Sequence, residues 1–197
     1  MYKKQMTFQR IVCYAMLFAC ALVFVYSLGL STDLYDSLYS TMMDPEDLSY
    51  TTVEGSQIYY EIQPFNTAFT KVSIGLILVS LILFITQTHV RRKYYIGNFI
   101  SVALSTSANI AASIWALINI MVYKKQFKYG IDFEALKRHS ELWKTYYTES
   151  TFWFDVSLFV FGLLLLATVL LVLNLILKII MMKEETRLIG QGKELGA

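Results

Sequence analysis

At 197 residues the chain has room for one ordinary soluble domain, but 56% hydrophobic residues and a mean hydropathy of +0.49 belong to a protein solvated largely by lipid. Its charge is near-balanced, 17 Lys and Arg against 15 Asp and Glu, and it carries no polybasic, aromatic-laced patch of the kind that binds nucleic acid. Two cysteines are too few for a disulfide framework.

The apolar residues fall in four blocks, 11–30, 69–87, 95–122 and 152–181, each near or above the roughly 20 helical residues that cross a bilayer core. The pattern predicts an all-α polytopic membrane protein. A single four-helix membrane domain has its spans in two hairpins, outer loops at 31–68 and 123–151, and a cytoplasmic tail at 182–197.

Lys3, Lys4 and Arg10 before Ile11 resemble the charged start of a signal peptide, and Leu17-Phe18-Ala19-Cys20 resembles a lipoprotein cleavage box with a bulky Phe18. The block runs on apolar from Ala21 to Tyr26, which predicts an uncleaved spanning helix. Cys13 and Cys20, seven apart on one helix, project about 10 Å apart along it and cannot pair.

The first outer loop carries Asp33, Asp36, Asp44, Glu46, Asp47, Glu54 and Glu61 and no Lys or Arg. Arg91, Arg92 and Lys93 mark the next connection as cytoplasmic, so the positive-inside rule predicts both termini inside. The second loop is the weak point of that rule, with Lys124, Lys125, Lys128, Lys137, Arg138 and Lys144 against four acids. Within the first loop, Thr32 is placed to cap a short helix carrying Leu34, Tyr35, Leu38, Tyr39 and Met42, ended by Asp44-Pro45. The β-prone stretch Gln57 to Ile62 predicts a strand or extended segment. Asp44, Glu46 and Asp47 lack the ligand spacing and turn glycine of a calcium loop, so they read as acidic surface.

The third span has a small or hydrogen-bonding residue at every fourth position: Gly97, Ser101, Ser105, Asn109 and Ser113. That spacing places them on one helix face, where small side chains admit a second helix and hydroxyls and amides bond across the contact. The face suits packing against a span of this chain, against a separate subunit, or along a pore.

Asp132 after Gly130 predicts the capped start of an amphipathic outer helix reaching Tyr147, with Phe133, Leu136, Ser140, Trp143 and Tyr147 on one face. It serves either as a helix lying in the membrane interface or, through Phe133, Leu136, Trp143 and Tyr147, as an outer docking surface. Ionisable residues within the spans are few. Lys71 and Asp155, near the outer ends of the second and fourth spans, are placed to pair, and Lys178 lies where its stem can snorkel.

Catalytic chemistry is sparse. His89 and His139 fall on opposite sides of the membrane in this topology, no Cys/His cluster has ligand spacing, and no glycine-rich loop precedes a lysine. The sequence therefore predicts a non-enzyme without cofactor or metal, and without a nucleic-acid partner.

Lys4-Gln-Met-Thr-Phe-Gln-Arg10, Tyr35-Asp-Ser-Leu-Tyr39, Arg91-Arg-Lys-Tyr-Tyr-Ile-Gly-Asn98 and Glu149-Ser-Thr-Phe-Trp-Phe-Asp155 resemble small, largely uncharacterised four-span membrane proteins of Gram-positive gut bacteria. Those proteins tend to be encoded beside the permeases of carbohydrate-importing ABC transporters. The resemblance implies an accessory subunit packed against permeases and transfers no site residues. The expected function is that of an integral accessory or scaffold subunit of a cell-membrane complex, its partners the lipid bilayer and ABC permease subunits or further copies of itself. The alternative is a homo-oligomeric small-solute or ion channel lined by the Ser/Asn face of the third span.

Overall fold

A helix satisfies its backbone hydrogen bonds internally, so apolar blocks of this length fold as helices where water is scarce. The computed structural model describes residues 2–41, 53–88 and 96–194. These form α1 (Tyr2–Gly29), α2 (Thr32–Leu38) with a following 3₁₀ turn (Tyr39–Thr41), α3 (Ile58–Glu61), α4 (Gln63–Thr88), α5 (Ile96–Gly130), α6 (Phe133–Trp143) and α7 (Phe152–Glu194), with no strand among the described residues. Four stretches are long and apolar enough to span a membrane: Lys4–Leu38, Ile58–Thr88, Gly97–Gly130 and Phe152–Arg187.

The distribution of side chains is inverted relative to a soluble bundle. Ser73, Ser80, Ser105, Asn109, Ser113 and Ser157 are buried, while Phe18, Ile85, Leu104, Ile118 and Phe159 are exposed. In water such an exterior would be a large apolar patch; in lipid it costs little, and small polar residues inside let helix backbones approach. The chain is built as a multi-pass membrane protein.

The long helices overrun the apolar blocks. Gln5 and Gln9 lie inside α1, and Lys124 and Lys125 inside α5, because straight-chain polar residues extend a helix as readily as apolar ones. Each long helix contributes to two compact units. One comprises Met1–Ala21, Gly75–Ala111 and Leu163–Ala197; the other comprises Leu22–Ile74 and Ala112–Gly162.

The first unit is joined by polar side chains. Asn109 on α5 donates from Nδ2 to the Met16 sulfur on α1 at 3.0 Å and to Thr168 Oγ1 on α7 at 3.3 Å. Thr86 on α4 donates to Ser101 Oγ on α5 at 2.8 Å. Cys13 and Cys20 are buried and free.

The second unit has an aromatic core. Phe65 stacks near-parallel on Phe69 at 5.9 Å, Trp115 lies 5.2 Å from Phe65, and Phe161 lies 6.0 Å from Phe69. Phe127 and Phe154 join α5 to α7 at 5.7 Å. Gly29 permits close approach of the Trp153 ring, since a Cβ there would stand 3.0 Å from Cζ3. Buried Asp33 accepts the Trp153 backbone N–H at Oδ2, 2.7 Å away, and so satisfies one of the orphan donors at the start of α7.

Several local expectations are corrected. Gln57 to Ile62 is not a strand: Glu61 N–H bonds Gln57 O and Ile62 N–H bonds Ile58 O, closing α3 locally. β propensity measures fit to a pleated surface, and the described chain has no sheet to join. Thr32 is helical and not the cap; Ser31 holds the N-cap position without a side-chain bond. Asp132 does cap α6, its Oδ1 accepting from Ala135 N at 2.9 Å. That helix stops at Trp143, short of Tyr147, because Lys144 adopts a left-handed conformation with φ 53°. Met42, the Asp44–Asp47 acids and His89 lie outside the described residues.

Candidate functional site

The third-span ladder is turned into the protein. Gly97 is half-buried and Ser101, Ser105 and Asn109 are buried in the first unit; Ser113 is buried in the second. Ser105 Oγ is buried without a hydrogen-bond partner among the described residues.

The most heavily polar part of the first unit gathers at Gln87, near the end of α4. Gln87 Nε2 donates to Asn98 O at 2.6 Å and to Ser101 Oγ at 3.2 Å, both at the start of α5. Its carbonyl accepts from Gln9 on α1, and Gln5, one turn earlier, donates to Gln9 Oε1 at 3.0 Å and to Asn174 Oδ1 on α7 at 3.1 Å. One turn beyond Asn174, Lys178 donates from Nζ to Gln87 Oε1 at 3.4 Å, and its ammonium stands 5.9 Å from the Phe99 ring centroid. Four helices thus meet through amides around one ammonium. Only 7% of Lys178 is exposed, so it does not snorkel as the sequence suggests, and among the described residues no carboxylate pairs with it.

Such an arrangement fixes helix register around a buried lysine. Among the described residues no three His, Cys, Asp or Glu side chains come together as metal ligands. Gln5, Gln9 and Gln87 were missed in the sequence because they sit at span ends, where polar residues are ordinary. The available signal was spacing: Gln5 and Gln9, and Asn174 and Lys178, are pairs four apart and so share a helix face.

No family model matches the sequence, and neither a curated protein nor a solved structure matches it.

In the second unit, Asp155 forms its ion pair with Lys124 on α5, not with Lys71, which is exposed on α4. Thr151 Oγ1 adds a bond to Asp155 Oδ2 at 2.9 Å. A partner already one helix away on α5 outcompetes the lysine chosen by depth alone.

The four residues expected on an outer docking surface separate. Leu136 is fully buried, and Phe133 is half-buried with its ring 5.5 Å from that of Phe127. Tyr147 is half-buried, beyond the helix end, while Trp143 is 70% exposed. The face offered for either membrane interface or outer docking is therefore largely the face that packs α6 onto its own unit. Exposure concentrates instead at Leu142, Trp143 and Tyr146, at 81%, 70% and 74%.

Proposed function

We propose that the protein is a non-enzymatic accessory or scaffold subunit of a membrane complex, held to an integral-membrane partner through the exposed segment around Trp143. The observation that carries this reading is the exposure of Leu142, Trp143 and Tyr146, large side chains at and just past the end of a helix whose Leu136 is buried. Exposed Trp and Tyr together are the residue types enriched at interaction hot spots and at membrane interfaces.

The partner class rests on the sequence resemblance, which points to the permeases of a carbohydrate-importing ABC transporter. Both termini are assigned to the cytoplasm by the Lys/Arg distribution, with Arg91, Arg92 and Lys93 inside and the acidic 31–68 loop outside. A channel between copies lined by the Ser/Asn face is the weaker reading, since Ser101, Ser105 and Asn109 are buried against helices of their own chain.

Mild detergent extraction from native membranes, gentle crosslinking and mass spectrometry test the reading. Permease subunits are expected with the wild-type protein and in reduced amount with the Leu142→Ser, Trp143→Ala variant. Recovery of the protein alone overturns it.

A further inference from the structure

Two residues after α1 ends, α2 and its 3₁₀ turn present Tyr35, Asp36 and Tyr39 at exposed positions. On the other side of a surface pocket of about 380 Å³ stand Lys144, Thr145 and Tyr146, in the non-helical segment that the left-handed Lys144 begins. The walls are fixed to one another: Ser37 Oγ, on α2, donates to the carbonyl of Thr148. The Tyr35 and Tyr39 rings lie 5.4 Å apart, and Tyr59 supports Tyr35 at 6.4 Å. A volume at the lower end of the range for small-ligand sites suits a compact molecule.

The pocket wall carries one carboxylate and one ammonium, and among the described residues no ion pair joins Asp36 to Lys144. Opposite charges left apart around a common cavity lined by phenol rings are complementary to a ligand carrying the reverse pair. Carboxylates and tyrosine faces both attract an alkylammonium, and a lysine ammonium attracts a carboxylate or phosphate. We infer that this pocket binds a small zwitterion, its ammonium against Asp36 and the tyrosine rings and its anionic group at Lys144. A free amino acid and the headgroup of a zwitterionic phospholipid offer the same chemistry. The assignment does not depend on the accessory role proposed above.

Calorimetric titration of the full-length protein in phosphatidylglycerol nanodiscs provides the test, with phosphoethanolamine and leucine as zwitterions and ethanolamine and inorganic phosphate as single-charge controls. At least one zwitterion is expected to bind about tenfold or more tightly than either control, and Asp36→Asn and Lys144→Gln each to weaken it about tenfold. Repeating the phosphoethanolamine titration in phosphatidylethanolamine nanodiscs separates the sources: lost binding assigns the pocket to a lipid headgroup, and unchanged binding to a soluble ligand. The inference is overturned if neither zwitterion binds by about 10 mM while circular dichroism shows intact helix, if a control binds equally well, or if both variants bind like wild type.

Discussion

Asn109 on α5 donates to Thr168 on α7 at 3.3 Å while also reaching the Met16 sulfur on α1, so one amide joins three helices of the first unit. It is also the most polar member of the Gly97–Ser113 ladder, and its bonding decides what that face does. Interhelical hydrogen bonds in a bilayer are weak singly, about 0.6 kcal/mol on average, so a seam needs several. A double-mutant cycle on Asn109→Ala and Thr168→Val, followed by thermal unfolding in detergent, should show a coupling of about 0.6 kcal/mol. Strict additivity would mean the two side chains do not meet.

Lys178 depends on Gln87 for its hydrogen bond. Gln87→Leu removes that acceptor and leaves a buried ammonium stranded, which should cost about 2 kcal/mol or more. Adding Lys178→Met to that background removes the stranded charge, and stability should recover in part. If the double variant is less stable than Gln87→Leu, the charge is not what the amide serves.

Asp33 acts as a cap on a helix that begins far along the chain, bonding the Trp153 N–H from a buried position. Asp33→Ala should lower stability by about 1–2 kcal/mol, the usual cost of a lost N-terminal cap. Asp36→Ala, on the exposed face of the same short helix, should change unfolding little. Equal effects of the two would show that the loss comes from α2 itself.

Gly55 has φ 83°, and a Cβ there would overlap the carbonyl of Gly130. Its neighbour Glu54 accepts the Asp132 N–H at 3.2 Å, so the same turn positions the start of α6. Gly55→Ala should cost about 1–3 kcal/mol through backbone strain, before any displacement of the Gly130 segment. In α4, by contrast, a Cβ on Gly75 meets nothing within 4 Å, and Gly75→Ala should be neutral or stabilising by up to about 1 kcal/mol. Melting temperatures of the two variants should move in opposite directions or differ by that margin.

Sidedness has its own readout. With Cys13 and Cys20 buried and free, single cysteines introduced at Tyr50 and Arg92 report which connection faces outward. A membrane-impermeant maleimide applied to intact cells should label position 50 and spare position 92. The reverse pattern contradicts the assignment of both termini to the cytoplasm.

Spans were legible because about 20 apolar residues in a row have few other uses, and the ladder was legible because a four-residue spacing survives any packing arrangement. Span ends were not: the polar residues that carry α1 back to Gln5 and α5 out to Gly130 look like loop in composition and become helix in context. Lys178 shows the same difficulty in a single residue. A lysine near a span end can reach water or turn inward, and the Gln87 amide and the Phe99 ring beside it favour the inward choice. Similar depth made Lys71 a possible partner for Asp155, but depth in the membrane says nothing about which helices are neighbours; Lys124, placed by composition in the second outer loop, lies on α5 and pairs with Asp155 on α7. Leu136 fits an interfacial face, a docking face or an inward-packed face equally well by spacing, because amphipathic spacing identifies an apolar face without naming what covers it, and it is buried.

The accessory-subunit account is tested most directly by photo-crosslinking in native membranes from a diazirine-bearing residue at position 143, compared with the same probe at the exposed Ile85 position. The account predicts that position 143 gives an adduct with another integral membrane protein, whereas position 85 gives lipid adducts alone. Lipid adducts alone from both positions would contradict it.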